Sequence, residues 1–326
     1  MSIVVIGATF VDIKGFPINK FDPDGRNEGS IKTVHGGVSR NIVEDIANLE
    51  LRPTFLTIVD DNAQGEEIIN RLKFHKVNTQ YIPKLKDGMG VWLAVFNDAG
   101  NVVSSISKRP NLMPILDIIK EHGDEIFSKC DSISIEMDLD QKIIKKVLYY
   151  AKKYNKKTYA VITNMTIACE RRDLFKKIDC LVCNDEEAGI LFMEDYRNKS
   201  LEEMADIALD RIQAAKISNI VVTMGEKGAI YASRKGYKGI VPAMDVNVID
   251  TTGAGDSFFA GVCAGLTYGK TLKEACEIGT RLAGAVIQSV ENVCPRYHPD
   301  EFGLKVRKKI KRSLLLFSIA LFYMNH

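Results

Sequence analysis

From Pro114 onward the chain alternates between short strand-like runs and longer segments with helical spacing. The runs are residues 132–135, 158–161, 180–183 and 219–223; the helical segments are 114–128, 140–153 and 201–215. Strand, helix and strand in turn is the pattern of βαβ units, whose strands lie parallel in one sheet and whose helices cover its faces. The run Ile3–Ile6 is apolar without a break, which suits a strand buried on both sides of such a sheet. The expected fold class is therefore α/β: a central, mostly parallel sheet with helices on both faces. The chain has 326 residues, 46% of them hydrophobic, which is ample for that core.

Two parts of the amino-terminal half break the alternation. Residues 14–34 are rich in Gly, Pro, Asn and charge, and residues 90–96 and 102–106 flank the hairpin turn Asp98-Ala99-Gly100-Asn101. Together, over about 10–35 and 88–110, they are expected to form a small antiparallel sheet apart from the main one. The single tryptophan, Trp92, lies on it, either to stack on a substrate or to pack against a partner subunit. Between them, Ile42, Val43, Ile46, Ala47 and Leu49 repeat at helical spacing, preceded by the glycine pair Gly36-Gly37. A second strand is expected at 54–59. The turn Asp60-Asp61-Asn62-Ala63-Gln64-Gly65 then caps a helix through Ile68, Ile69 and Leu72.

The stretch Asp250-Thr251-Thr252-Gly253-Ala254-Gly255-Asp256 follows an apolar run ending Val246-Asn247-Val248-Ile249, read as a strand, and precedes Ser257-Phe258-Phe259-Ala260-Gly261-Val262, read as a helix. Glycines around an alanine keep side chains off the backbone, so an anion can approach the peptide N–H groups. The first helical turn adds unpaired donors and the positive end of its dipole. In that turn Asp256 is placed either to take a proton from an attacking hydroxyl or simply to charge the helix start. Asp12 follows the first strand, where open α/β sheets bind ligands. Asn184 and Glu187, three apart after the run 180–183, suit a capping box or, as oxygen ligands, Mg²⁺. Residues 221–229 read as a strand, a glycine turn and a new strand.

The string DTTGAGD closely resembles the carboxy-terminal motif of the ribokinase-like sugar and nucleoside kinases, the phosphofructokinase-B family. The resemblance implies that Asp256 is the catalytic base and that Gly253, Ala254 and Gly255 with Asp256 form the anion hole. It implies that Asp12, Gly36, Gly37 and Asn41 bind the substrate's sugar. Asn184 and Glu187 resemble the family's asparagine-x-x-glutamate pair at Mg²⁺ and phosphate, with Glu187 acting on Mg²⁺ through water. Thr223, Gly225 and Gly228 resemble the segment that approaches the ATP phosphates. Asn292, just past a helix expected over 272–289, falls near the family's adenine pocket, and Asp250 and Thr252 fall at its monovalent cation site, for K⁺. The small antiparallel sheet becomes the lid, through which a homodimer is expected, and the kinase domain covers 1–303. Where ribokinases carry a lysine this chain has Val38, which argues against free ribose. The strings Lys14-Gly15-Phe16-Pro17, Gly25-Arg26-Asn27 and GGVSRN look most like bacterial pseudouridine kinases. The expected reaction is Mg²⁺-ATP-dependent phosphorylation of a primary hydroxyl, taking pseudouridine to its 5′-phosphate. The alternatives are a ribokinase- or fructokinase-type sugar kinase and a non-catalytic nucleotide-binding regulator of the same fold.

Other features exclude rivals. A formal net charge of +2 gives no electrostatic case for nucleic acid as a partner. Seven scattered cysteines, an odd number, fit a reducing, cytoplasmic setting. Cys180 and Cys183 have metal-pair spacing, but no second pair completes a zinc site, and buried thiols on a strand are expected. Gly265-Leu266-Thr267-Tyr268-Gly269-Lys270-Thr271 is one residue short of a P-loop and follows a helix, so Gly269 reads as a helix stop. Residues 304–326 form a basic, then apolar tail; its apolar run is too short to span a bilayer, which needs ~20 residues.

Overall fold

The computed structural model describes residues 1–164, 166, 169, 170, 172–196 and 199–304; the basic and apolar tail lies outside the described residues, apart from Leu304. The chain runs β1 (Ile3–Ile6), β2 (Phe10–Pro17), β3 (Gly29–Gly36), α1 (Val38–Asn48), β4 (Thr54–Leu56), β5 (Val59–Asp60), α2 (Ala63–Phe74), β6 (Lys84–Leu85), β7 (Gly90–Phe96) and β8 (Val102–Lys108). It continues α3 (Pro114–Lys129), β9 (Ser132–Glu136), α4 (Gln141–Lys153), β10 (Lys157–Val161), α5 (Arg172–Phe175), β11 (Cys180–Asn184), α6 (Asp185–Phe192), α7 (Leu201–Ala215), β12 (Asn219–Thr223), β13 (Ala229–Ser233), β14 (Tyr237–Val241), α8 (Ala254–Thr267) and α9 (Leu272–Val286).

The main sheet has eight strands in the order β14-β13-β12-β11-β10-β9-β1-β4, parallel from β4 to β12, with β13 and β14 antiparallel at one edge. Successive side chains of a strand point to opposite faces, so a two-faced core demands apolar residues at every position. In β1, Val4 and Ile6 join the core under α3, α4 and α7, while Ile3 and Val5 join the core under α1, α2, α8 and α9. Fully burying one such side chain contributes about 1.5–3 kcal/mol. Cys180 and Cys183 are buried free thiols on β11, as expected of a strand interior.

A second sheet, the lid, has the order β3-β2-β7-β8. It is mixed rather than antiparallel throughout: β2 and β7 pair parallel, with Asp12 opposite Trp92. A parallel pair needs a long crossover, and the chain from α1 to β6 supplies it. Asp12 accordingly sits on a lid strand, not in a loop after β1. The stretch 54–59 is likewise interrupted, since β4 ends at Leu56 and β5 pairs instead with β6. Asn62 caps α2, its side chain accepting from the Gly65 N–H at 3.0 Å. The run 246–249 is not a strand: Val248 and Ile249 are 62% and 63% exposed, and the Ile249 N–H goes to the Ile287 carbonyl at 2.7 Å. Its apolar side chains serve a cleft, not the sheet. Gly269, at φ 78, follows the C-cap of α8 and does stop that helix.

Candidate active site

The turn before α8 is the structural centre of the site. The Asp250 carboxylate accepts the Thr252 N–H at 2.8 Å, and Gly253 caps the helix at φ 83, in the left-handed region that a side chain would strain. Two clefts meet at this turn. One, of about 680 Å³, is lined by Asp12, Gly37, Asn41, Trp92, Gly253 and Asp256 among others. The second, of about 850 Å³, is lined by Thr223, Gly225, Gly228, Ala254 and Gly255 with the apolar Val246, Val248 and Ile287. A single helical turn is thus the wall between two cavities, with the Asp256 carboxyl on one side and the Ala254-Gly255 backbone on the other. Volumes of about 300–1,000 Å³ are those of small-molecule sites.

Asp256 is half-buried, and its Oδ2 accepts from Asn41 Nδ2 at 2.6 Å. Burial pushes its pKa up to about 6; the Asn41 hydrogen bond and the Arg40 guanidinium oppose the rise and Asp12 adds to it. Burial likewise raises Asp12, against the pull of Lys14 and Arg40. Asn41 sits where α1 starts, 5% exposed, its Oδ1 without a hydrogen-bond partner among the described residues. A residue expected to hold the sugar therefore also holds the Asp256 carboxyl.

The glycine pair works differently at its two positions. Gly37, at φ 99, lines the smaller cleft, with the Ala8 carbonyl and Phe10 N–H where a Cβ would be. Gly36 does not line it; the Asp12 carboxylate occupies its Cβ position. Arg40, only 1% exposed, donates to the carbonyl of His35 and pairs with the buried Glu44 at 2.8 Å. It thereby fixes the pair and sets a positive charge near both aspartates. Below the turn, Asp45 Oδ2 accepts from Ser257 Oγ at 2.7 Å and Oδ1 from the Cys294 N–H at 2.6 Å. Those bonds tie α1, α8 and the loop after α9 into one unit.

In the larger cleft a Cβ on Gly255 would meet nothing within 4 Å. The Ala254 N–H donates to the Thr251 carbonyl at 3.2 Å, so the open space at Gly255, its helix-start N–H and the glycines at 225 and 228 form the cradle that suits a polyphosphate. Asn184 and Glu187 make a complete capping box, with N–H to side-chain distances of 2.8 Å in both directions, and neither lines either cleft. β11–β12 pairing nonetheless places Asn184 level with Thr223, which does line the nucleotide-sized cleft. Among the described residues no group of three or more His, Cys, Asp or Glu side chains could hold a metal ion by itself. Mg²⁺ often binds through one or two carboxylates with waters and substrate phosphates, a mode that needs no such group. Asn292 lies outside both clefts: its side chain donates to the His35 carbonyl at 3.0 Å, and its own carbonyl packs on Gly253.

Sequence reasoning missed several polar residues of the smaller cleft, Glu136, Asp138 and Arg109 among them. Glu136 ends β9, 3% exposed, accepting from the N–H groups of Ser39 at 3.0 Å and Ala8 at 3.3 Å; burial and the neighbouring Asp138 raise its pKa to about 8. Asp138 and Arg109 form an ion pair on the same wall. The signal available was the rule that singled out Asp12: acidic residues at the carboxyl ends of parallel strands face the ligand. On the lid, register puts Asp12, Trp92 and Ser107 on one face, and all three line the cleft. Trp92 thus faces the ligand side rather than a neighbouring subunit.

Comparison with known proteins agrees with this geometry. The sequence profile of the "pfkB family carbohydrate kinase" group matches residues 1–293. A guanosine-inosine kinase of Exiguobacterium acetylicum is 32% identical over 292 residues, 89% of this chain and 95% of that protein. A pseudouridine kinase of Escherichia coli is 24% identical over 273 residues, 80% of this chain and 82% of that protein. The structure of Arabidopsis thaliana ribokinase complexed with ribose and ATP superposes with a TM-score of 0.77 at 18% identity, covering 93% of this chain and 98% of that one.

Proposed function

This chain belongs to the pfkB family of carbohydrate kinases, and from that premise we propose that it phosphorylates the 5′-hydroxyl of a nucleoside, a purine ribonucleoside first among them. The enzyme is an ATP-dependent carbohydrate or nucleoside kinase. The observation that supports the phosphoryl-transfer reading is the shared wall: a carboxyl in one cleft and the backbone of a helix start in the other, on one turn.

In the proposed reaction Asp256 takes the proton as the substrate oxygen forms its bond to the γ-phosphorus. The bond from that phosphorus to the β-phosphate oxygen breaks, and ADP leaves. N–H groups from Gly253 to Asp256 hold the charge on the transferring group; such preorganised donors and positioning supply most of the rate in phosphoryl transfer. Asn41 keeps the Asp256 carboxyl in place, and Asp12 accepts from sugar hydroxyls. Mg²⁺, when bound near Glu187 with the phosphates, neutralises their charge.

A base ionising near 6 gives a definite pH profile. Below pH 6 Asp256 is protonated and cannot accept the proton, so kcat/KM should fall about tenfold per pH unit there and level off above it. A flat profile from pH 5 to 8 would contradict Asp256 as the base.

Two features favour a nucleoside over a free sugar. The cleft that holds Asp256 is also lined by Trp92, whose aromatic surface suits a base. The relative named a guanosine-inosine kinase aligns along nearly the whole chain. Pseudouridine is the second reading, favoured by the strings KGFP, GRN and GGVSRN. Measuring ADP release over guanosine, inosine, pseudouridine, ribose and fructose decides among them. The purine reading expects kcat/KM for guanosine or inosine to exceed that for ribose by about 10²-fold or more, because ribose has no base to bind in the transition state. Pseudouridine as the best substrate would install the second reading; ribose or fructose as the best would remove the nucleoside reading.

We further propose a homodimer through the lid's outer face. Leu93 and Ile106 are cross-strand partners there, and Ile31 lies on the same face across β2; they are 40%, 68% and 76% exposed. Replacing Ile106 by Asp should convert a dimer to monomer in light scattering; an unchanged mass rules out this face.

A further inference from the structure

Nothing in the reaction above uses Asp138, yet its position is unusual. It lies just past β9, on the wall of the smaller cleft that also holds Trp92 and Asp256. Its side chain is only 4% exposed. One oxygen, Oδ2, receives the Arg109 guanidinium; the other, Oδ1, is buried without a hydrogen-bond partner among the described residues. Arg109 also lines the cleft and comes directly after β8, the last lid strand.

A buried acceptor left unpaired is costly, and the natural relief is a donor brought by the ligand. An ionised carboxylate only accepts. The complementary ligand group must therefore be a donor, which on a base edge is an N–H, and Arg109 holds the carboxylate that meets it. Among purines, hypoxanthine and guanine offer N1–H. Adenine offers a lone pair at N1, which would face the Oδ1 lone pairs. We propose that Asp138 is the specificity-determining residue for the base, selecting 6-oxopurine nucleosides over adenosine by accepting the N1–H. This rests on the nucleoside reading above and deepens it.

The test compares kcat/KM of the wild-type enzyme for inosine, 1-methylinosine and adenosine, and then repeats the inosine and adenosine measurements on Asp138→Asn. A site built to hydrogen-bond a substrate N–H rejects analogues lacking it strongly, so inosine should exceed both other nucleosides by about 100-fold or more. In Asp138→Asn the amide can donate to adenine N1, and the inosine-to-adenosine ratio should fall by about 10-fold or more. Turnover of 1-methylinosine equal to that of inosine overturns the proposal, and so does an unchanged ratio in the variant. The methylated substrate probes the contact in the wild-type enzyme, whether or not the variant folds. The nucleoside reading fails separately: if ribose is phosphorylated and no nucleoside is, that reading falls and takes this proposal with it. If nucleosides are phosphorylated without preference at N1, only the role of Asp138 falls.

Discussion

Asp256→Asn should lower kcat by about 10³-fold, within the ~10²–10⁴ that a positioned general base contributes, while leaving nucleotide affinity unchanged. The substitution is nearly isosteric. Asn41 Nδ2 now donates to Asp256 Oδ2, and the new amide can present its oxygen to the same donor, so the geometry of the first turn of α8 survives. What disappears is a group able to accept a proton. Nucleotide affinity is spared because the polyphosphate cradle is on the opposite side of the turn, where Ala254 and Gly255 face the larger cleft. Steady-state ADP release and calorimetric ATP titration separate the two effects. Turnover close to wild type would mean that the proton leaves by another route, and the assignment of Asp256 would have to be abandoned. Loss of ATP binding together with turnover would mean that the two clefts are not divided as described.

Much of this arrangement was legible beforehand, and the reason is local. The main sheet is buried on both faces, so its strands write themselves as unbroken apolar runs, and β1, β9 to β12 and the helices α3, α4 and α7 follow from period and length alone. The glycine-rich turn was legible because its chemistry requires absent side chains. What failed depended on partners distant in sequence. The parallel pairing of β2 with β7 is set by the chain from α1 to β6, and no local pattern encodes it. Residues 246–249 look like a strand because they are mostly apolar, but Val246 and Val248 line a cleft instead. Asn184 and Glu187 fit two roles by spacing, and the structure displays the capping one. Glu136 and Asp138 were signalled only by their place at the carboxyl end of a strand, and Arg40 by nothing, because a charged side chain in sequence carries no sign of being buried. Only the fold brings Arg40 against the His35 carbonyl and Asp138 to the wall opposite the lid.

Two glycines a residue apart should respond to the same methyl group in opposite ways. At Gly253, φ 83 costs an alanine about 1–2 kcal/mol, and its Cβ would fall on the carbonyl oxygen of Asn292. That carbonyl cannot easily retreat. The Asn292 side chain is bonded to His35, and Cys294 in the same loop is bonded to both Asp45 and Asn48. The turn must therefore move, and with it Asp256 and the donors; a shift of about 1 Å is enough to cost ~10²-fold in rate. Gly253→Ala should thus lose stability in a thermal melt and activity with every substrate. Gly255 is helical, has no positive φ, and offers its Cβ only open space, so alanine there should stabilise the apo protein by about 0.5–1 kcal/mol. The chain nevertheless has glycine where its own helix would prefer alanine, and the missing side chain leaves room in the larger cleft. Gly255→Ala should melt no lower than wild type, yet raise the KM for ATP between about 10- and 100-fold, the value of a hydrogen bond to a charged group. If Gly253→Ala melts like wild type, the turn is not braced by the loop after α9. If Gly255→Ala binds ATP normally, the phosphates do not approach this part of the backbone, and the wall between the clefts loses its role as the anion hole.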